Sequence, residues 1–395
     1  MRVQTRNNTV HLTYCLNVHA GESWADTMAA IRDYACPIAR QTAGAAPFGL
    51  GLRLSAHAAA ELLSGNNLDR FKLFLEDQNL YVFTVNGFPY GPFHGRPVKE
   101  RVYAPDWAQP ERADYTLQLA RILTALLPED VDGSISTLPG TYRPWVRGIS
   151  HQQAVLTGLV TTVEQLHRIY LDTGSRVRLA IEPEPDCLWE SPRDVVQLFQ
   201  HDLPEWAHRQ GRNAEDVLRV CDEFLGVCVD TCHSTVLGHR PADVIGCLLT
   251  AGIQMPKVQI SAAPVGDCGA ISRRAFSKLA DTVYLHQSVI EWPDGRTERH
   301  ADLDTALRAA EAADDGARFR SHVHIPLTLA TWGPLQSTRK KLDSDFFELL
   351  DRAAVGHVEV ETYTFEVLPD SMRQEGIRAC VAAELEWTRR QLTGS

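Results

Sequence analysis

The sequence predicts an α/β fold, a single (β/α)8 TIM barrel spanning residues 1–395. Strand-like apolar runs alternate with helix-like runs along nearly the whole chain, a pattern typical of a parallel sheet. No GxGxxG turn follows an early strand, which argues against an open dinucleotide-binding sheet. Polar residues collect at the C-terminal ends of the runs, where barrel enzymes build their sites.

Seven runs of Val, Ile, Leu, Cys and Ala predict the first seven strands. A helix follows the first of them, because Ser23 and Asp26 form a capping-box pattern ahead of an apolar stripe. A second helical stripe ends near Gly174. The predicted strands cover residues 12–19, 48–55, 80–88, 133–140, 177–185, 224–230 and 257–261.

Beyond the seventh strand there are more strand candidates than a barrel needs. Residues 282–303 resemble a hairpin around Asp294-Gly295, and two further runs cover 319–327 and 357–368. We therefore predict an inserted hairpin or excursion near 282–303. The Pro- and Gly-rich segment 87–107 is predicted to cover the barrel mouth as an ordered loop. Aromatic side chains there are expected to form an apolar wall: Tyr90, Trp107 and Trp145.

Composition excludes several classes of protein. A formal net charge of -11 argues against a nucleic-acid partner. No stretch of about 18 apolar residues is present, so no membrane span is expected. The nine cysteines contain no CxxC pair and are read as reduced core residues, which together with the absence of a signal-peptide pattern predicts a cytoplasmic protein.

Ligand-type side chains occur at the ends of the later strands. Alternate residues of a strand share a face, so Glu359 and Glu361 are expected together, as are His322 and His324. Buried acids that converge on one axis repel unless a cation or a proton compensates them. Lys257 begins its strand and is expected at the far end of the barrel. The residues at these strand ends are Glu182, Glu184, Asp230, His233, Gln259, His322, His324, Glu359 and Glu361.

The first strands also end in polar groups that suit the hydroxyls of a substrate. Arg53 and Arg143 would suit a phosphate or carboxylate, with a structural ion pair as the alternative for each. The candidate substrate-binding residues are Asn17, His19, Arg53, Asn86, His94, Arg143, Glu184 and His286.

The order Glu, Asp-x-x-His, polar residue, Glu on successive strands resembles the xylose isomerase-like TIM barrels. More narrowly, the chain resembles the EboE metabolite traffic protein family, in stretches such as "LYVFTVNGFPYGPFHG", "IEPEPDC", "VDTCHS" and "VEVETYTFEVLP". The wider resemblance implies a divalent metal, with Mn²⁺, Mg²⁺, Co²⁺ or Fe²⁺ expected in preference to Zn²⁺. It carries the ligand pattern onto Glu182, Asp230, His233 and Glu361. The seventh strand departs from that pattern, since Gln259 stands where His is common, and His324 is the alternative ligand.

The function expected from this resemblance is a metal-dependent isomerase or epimerase that acts on a polyhydroxylated small metabolite in a pathway that makes or transports secondary metabolites. Glu182 and Glu361 would be its catalytic acid/base pair. Two alternatives remain: a non-catalytic metabolite-binding or traffic protein, and a metal-dependent hydrolase. The expected partner is the metabolite, and the oligomeric state and contacts with other proteins of the pathway are left open.

Overall fold

Eight parallel strands form the barrel of the computed structural model, which describes residues 1–94, 97–280, 283–313, 316–363 and 376–394. From the second strand to the eighth, each strand pairs in parallel with the next, and the eighth also pairs with the first. The ring closes between the first two through a single bridge, Cys15 to Gly51. Barrel strands 1 to 8 are, in chain order, Thr9–Tyr14, Phe48–Arg53, Leu80–Asn86, Gly133–Thr137, Val177–Ile181, Leu225–Asp230, Lys257–Ile260 and His357–Val360.

The predicted fold class is thereby confirmed. Most barrel-strand residues are buried, as expected for a parallel sheet covered on both faces, which is why these strands appear in the sequence as continuous apolar runs. A short strand, Arg2–Gln4, pairs antiparallel with the start of barrel strand 1. Several strands end before the predicted limit, as barrel strand 5 does at Ile181, ahead of Glu182 and Glu184, which line the cavity.

Helices connect the strands and pack outside them. Ser23 begins the first of these, and the predicted capping box is present, with Ser23 Oγ accepting from the Asp26 amide. Two of the long helices contain a π-helical stretch, Ile31–Ala35 and Leu198–Asp202. The α-helices are Trp24–Ala30, Cys36–Ala43, Ala56–Leu62, Asn67–Asp77, Pro110–Leu126, Ile149–Thr173, Pro192–Gln197, Leu203–Arg209, Ala214–Phe224, Thr231–Val236, Pro241–Thr250, Ala270–Phe276, Leu303–Ala310, Ser344–Arg352 and Ile377–Thr393. No described helix combines the length and the apolar character needed to cross a membrane.

The chain between barrel strands 7 and 8 forms a second, antiparallel sheet, which we call the insertion sheet. Its pairing of Ser288–Glu291 with Thr297–His300 confirms the predicted hairpin. The sheet is larger than predicted, and the run at 319–327 supplies one of its strands rather than a barrel strand. Its strands are Pro264–Asp267, Ser288–Glu291, Thr297–His300, Arg318–Ser321, Thr331–Trp332 and Leu335–Ser337.

An ion pair lies inside the barrel. Lys257 Nζ is 2.6 Å from Glu359 Oε2, and both side chains are 0% exposed. The same ammonium donates to Ser136 Oγ at 3.3 Å. Lys257 begins barrel strand 7, as predicted. Its charge does not stay at that end of the barrel, however, because the side chain turns into the interior and pairs with Glu359. Gly51 makes room for the pair, since a Cβ there would meet Glu359 Oε1 at 2.0 Å.

Lys257→Met should lower the free energy of unfolding by about 3–5 kcal/mol, because it leaves the Glu359 carboxylate buried without its cation. Replacing both partners, as Lys257→Met with Glu359→Met, should recover most of that loss. Denaturant unfolding measures both changes. The exposed pair of Arg2 and Asp130 is the control, and Arg2→Ala should cost at most about 1 kcal/mol. A double variant no more stable than Lys257→Met would contradict this description of the interior.

Candidate metal centre

Three carboxylates meet at the C-terminal end of the barrel. Glu182 follows barrel strand 5, Asp230 ends strand 6 and Glu361 follows strand 8. One oxygen of each lies within 4.8 Å of the others, and all three side chains are buried. The parallel strands deliver them to one point because their C-terminal ends share one side of the barrel.

The Asp-x-x-His spacing has a local cause. Asp230 is the N-cap of the helix Thr231–Val236, and its Oδ1 accepts from the His233 amide at 2.9 Å and from Ser261 Oγ at 2.9 Å. A cap residue and the third helical residue both stand at the helix entrance, so the spacing places the carboxylate and the imidazole together. His233 Nδ1 donates to the Pro183 carbonyl at 3.1 Å, which leaves Nε2 as the ligand atom.

Two further histidines come from the insertion sheet. His322 and His324 follow the strand Arg318–Ser321 and are both buried. A ring nitrogen of His324 lies within 4.8 Å of ligand atoms of Asp230 and His233. Gln259, the alternative seventh-strand ligand, pairs in register with Asp230, and its Oε1 accepts from the Cys228 thiol at 3.0 Å. The geometry therefore groups His324 with the acids and gives Gln259 a hydrogen bond within the barrel interior.

A second ligand group adjoins the first. Glu184, His233 and His322 also have ligand atoms within 4.8 Å of one another. Glu184 Oε1 accepts from Tyr103 at 2.8 Å and from Gln287 Nε2 at 3.3 Å. In the sequence, Glu184 and His322 are both among the ligand-type residues at strand ends, but Glu184 was assigned to the substrate and only His324 of the histidine pair was assigned to the metal. The signal was the His-x-His pair itself, but its strand lies outside the barrel, so barrel position could not locate it.

The protonation states follow from burial and from crowding of like charge. Burial raises the pKa of Glu182 to about 8, with the Asp230 carboxylate adding to the shift and His233 opposing it. Burial also raises the pKa of Glu361 well above its usual range, and the charges of Glu182 and Asp230 reinforce this. For Asp230, burial is outweighed by His233, His324 and two hydrogen bonds, and the pKa is lowered. The pKa of His233 is raised, because the carboxylates around it outweigh its burial.

The site fits a cation on two observations. Glu182 Oε2 and Asp230 Oδ2 are buried acceptors with no hydrogen-bond partner among the described residues. The Nε2 atoms of His322 and His324 are 3.2 Å apart, while their Nδ1 atoms contact the oxygens of the Gln287 side chain and the Glu361 backbone. Because both Nδ1 atoms face oxygens and carry the ring protons, both Nε2 atoms carry lone pairs. These lone pairs repel each other, and a proton or a metal ion between them would relieve the repulsion. Burial lowers the pKa of His324 to about 4, which disfavours the proton.

Two predicted substrate residues border this centre. Asn17 and Asn86 donate to Glu361 Oε1 at 2.6 and 3.0 Å, and both line the cavity above it. Asn86 Oδ1 also accepts from the Phe88 amide at 3.1 Å. These amides hold the Glu361 carboxylate in place.

Other predicted substrate residues have structural partners in the described parts of the chain. Arg53 pairs with Glu22 at 2.9 Å and donates to two backbone carbonyls, and Arg143 donates to the Cys187 carbonyl. His19 contacts the Tyr14 hydroxyl at 3.0 Å, and His286 Nδ1 contacts the His322 carbonyl at 2.9 Å. His94 packs edge-on against Phe93. These five are absent from the described lining of the cavity, whereas Glu184 is part of it.

The described part of the segment after barrel strand 3 covers the mouth as predicted, and seven of its residues between Phe88 and Tyr103 line the cavity. The cavity encloses about 540 Å³, part of it open to solvent. The three aromatic residues predicted to form the wall of the mouth, Tyr90, Trp107 and Trp145, are not among the described residues that line the cavity. Trp107 is buried in the core and donates to the Leu138 carbonyl, while Tyr90 and Trp145 pack behind the lining residues, against Tyr115 and Tyr142.

Comparisons with solved structures identify the architecture. A xylose isomerase-like TIM barrel protein from Mycobacterium smegmatis, solved in complex with magnesium, has a TM-score of 0.50 at 12% identity, over 98% of this chain and 97% of that one. This chain shares the TIM-barrel fold of that protein. An IolI protein with a bound zinc atom has a TM-score of 0.48 at 10% identity, over 98% of each chain. The probable 3-DHS dehydratase AsbF from Bacillus anthracis has a TM-score of 0.47 at 12% identity, over 96% of this chain and 98% of that one.

No family model and no curated protein matches the sequence. The narrower EboE assignment stays a prediction.

Metal binding should release protons and strengthen as pH rises. Glu182, with a pKa of about 8, holds a proton at pH 7 in the metal-free protein, and burial and like charge raise the pKa of Glu361 in the same direction, so a cation must displace protons from these acids. Affinity should therefore increase from pH 6 to about 8. Calorimetric titration with Mn²⁺ in buffers of different ionisation enthalpy counts the protons. Binding that releases no proton at pH 7 would contradict these protonation states.

Asp230→Asn should remove the metal and keep the fold. The Asn side-chain oxygen can retain the helix cap, while the unpaired Oδ2 becomes an amide that cannot bind a cation. Mn²⁺ affinity should fall by at least about a hundredfold, since loss of an outer-shell partner alone costs about 10–100-fold. Asp106→Asn is the matched control, a buried carboxylate that contacts His151 and Thr141 instead. Equal metal loss in both variants would contradict the assignment.

Proposed function

We propose that the chain is a divalent-metal-dependent isomerase or epimerase acting on a small hydroxylated metabolite that carries a carbonyl group. The observation that carries this proposal is the convergence of Glu182, Asp230 and Glu361 within 4.8 Å, in a cavity at the C-terminal end of the barrel. Burial and like charge raise the pKa of both glutamates when no cation is bound, so either group can take up the proton that the reaction moves. We further propose that the chain acts as one domain, in the cytoplasm, on a secondary metabolite.

The residues that would hold the ion are Glu182, Asp230 and Glu361, with His233 or His324. When bound, the cation polarises a carbonyl and an adjacent hydroxyl of the substrate. In the proposed reaction one glutamate removes the proton from the carbon beside the carbonyl, and the C–H electron pair moves into the carbonyl system. The other glutamate, which carries a proton when the substrate is bound, delivers it to the opposite face of the same carbon for epimerisation, or to the former carbonyl carbon for isomerisation. In the isomerisation, the hydroxyl on the deprotonated carbon passes its proton to the former carbonyl oxygen, so that the two groups exchange places. Asn17 and Asn86 donate to Glu361 Oε1 and so orient this carboxylate for the proton transfer.

The second ligand group supports one other candidate, a metal-dependent hydrolase. Glu184, His233 and His322 adjoin the three carboxylates, and His233 and His324 stand between the two groups. Paired ions about 3.5–4 Å apart activate water and stabilise the leaving oxygen in many hydrolases. The net charge of -11 disfavours DNA as the substrate. A stoichiometry of two ions per chain would favour this candidate.

The two candidates differ in what they do to a substrate. Mn²⁺-loaded protein should exchange the proton beside the carbonyl of a suitable α-hydroxyketone for deuterium in D₂O, read by NMR across a panel of ketoses, aldoses and aryl hydroxyketones. Glu361→Gln should slow exchange by about 10²–10⁴-fold, the usual contribution of one acid/base group. Asp106→Asn should exchange as the wild type does.

Release of nitrophenol from bis(p-nitrophenyl) phosphate, without any exchange, would replace the isomerase by the hydrolase. Binding of a panel member with neither reaction would leave a binding or traffic protein.

A further inference from the structure

The cavity above the metal centre has a wall of apolar and aromatic side chains. Eighteen described residues line it. Six of them are the ligand-type side chains that form its polar floor, namely Glu182, Glu184, His233, His322, His324 and Glu361. Asn17 and Asn86, which hold Glu361, and the charged residue Lys99 bring the polar residues to nine. The remaining nine are Phe88, Pro89, Phe93, Val98, Val102, Tyr103, Tyr284, Leu285 and Tyr363.

Three of these rings pack as a cluster next to the ligands. The Phe93 centroid is 4.9 Å from that of Tyr284 and 5.5 Å from that of Tyr363, and the two tyrosines are 5.1 Å apart. The Tyr363 ring also lies 4.6 Å from the His324 ring. The apolar wall therefore begins at the ligands themselves.

The polar groups among the described lining residues are largely engaged by the protein. Lys99 Nζ is 2.6 Å from the Asp302 carboxylate. Tyr103 donates to Glu184, and both Asn17 Nδ2 and Asn86 Nδ2 donate to Glu361. Asn17 Oδ1, beside the carboxylates, is a buried acceptor with no hydrogen-bond partner in the described chain. Outside the hydroxyl groups of Tyr284 and Tyr363, hydrogen-bonding capacity toward a ligand in the described lining is therefore concentrated at the floor.

We propose that the substrate has two unlike ends: a head with adjacent oxygen donors that reaches the floor, and an aromatic body that packs on the wall. A compact polyol would leave its outer hydroxyls against Phe93, Val102 and Leu285, whose side chains cannot replace their hydrogen bonds to water. This inference rests on the proposed metal-dependent function and narrows its substrate class, away from the polyhydroxylated metabolite expected from the sequence.

Two hydroxamic acids measure the contribution of the aromatic body to binding separately from that of the oxygen-donor head. Benzohydroxamate and acetohydroxamate share one oxygen-donor head and differ only in a phenyl ring against a methyl group. Calorimetry on Mn²⁺-loaded protein should show benzohydroxamate binding at least about tenfold more tightly, because contact along even part of the ring adds that much. Equal affinities would overturn the aromatic body and leave the metal centre intact. Failure of both to bind would overturn the open metal site, and with it the proposed function and this inference.

Variants locate the source of the preference. Phe93→Ala should reduce the ratio of the two affinities at least about threefold, with acetohydroxamate binding unchanged. Trp292→Ala, which removes a largely buried ring of the insertion sheet outside the described lining, should preserve the ratio. If Phe93→Ala does not fold, Val102→Asn tests the same wall. A preference that survives in the folded wall variant would overturn the proposal.

Discussion

The concentration of negative charge at one end of an apolar barrel is the constraint on which the rest of this structure depends. Removing a carboxylate from water costs several kcal/mol, and repulsion between neighbouring carboxylates adds to that cost. Lys257 neutralises Glu359 inside the barrel, and its charge opposes the upward pKa shifts of Glu182 and Glu361. Above that pair the acids rely on protons, on His233 and on amide donors. A cation bound among them would replace the protons and satisfy the unpaired oxygens.

The insertion sheet makes this site different from one built on barrel strands alone. It supplies His322 and His324 to the centre and Tyr284 to the wall. It is also attached to the segment that covers the mouth, because Lys99 pairs with Asp302 and the amides of Val98 and Lys99 donate to the Val283 carbonyl. The ligands and the wall are therefore coupled, and a change in the insertion would alter metal binding and substrate choice together.

Much of the barrel follows from the sequence, because parallel strands buried on both faces are continuous apolar runs ending in polar residues. The positions of Glu182, Asp230, His233 and Glu361 follow from strand order and from helix capping at Asp230. Only the hairpin of the insertion sheet could be predicted, since the other strands are two to four residues long and most of them pair with segments that are distant in the sequence. The direction in which a side chain points could not be predicted from the sequence either. Nothing local shows that Lys257 turns inward or that Arg53 is bound by Glu22 and backbone carbonyls.

The most direct test of the metal centre is anomalous X-ray diffraction from crystals grown with Mn²⁺, recorded on both sides of the manganese absorption edge. A peak is expected within bonding distance of carboxylate oxygens of Glu182, Asp230 and Glu361, with His233 or His324 completing the coordination. A second peak beside Glu184 and His322 would mark the paired-ion arrangement. Well-ordered crystals with no peak at the three carboxylates, or with manganese only at surface acids, would contradict the metal centre.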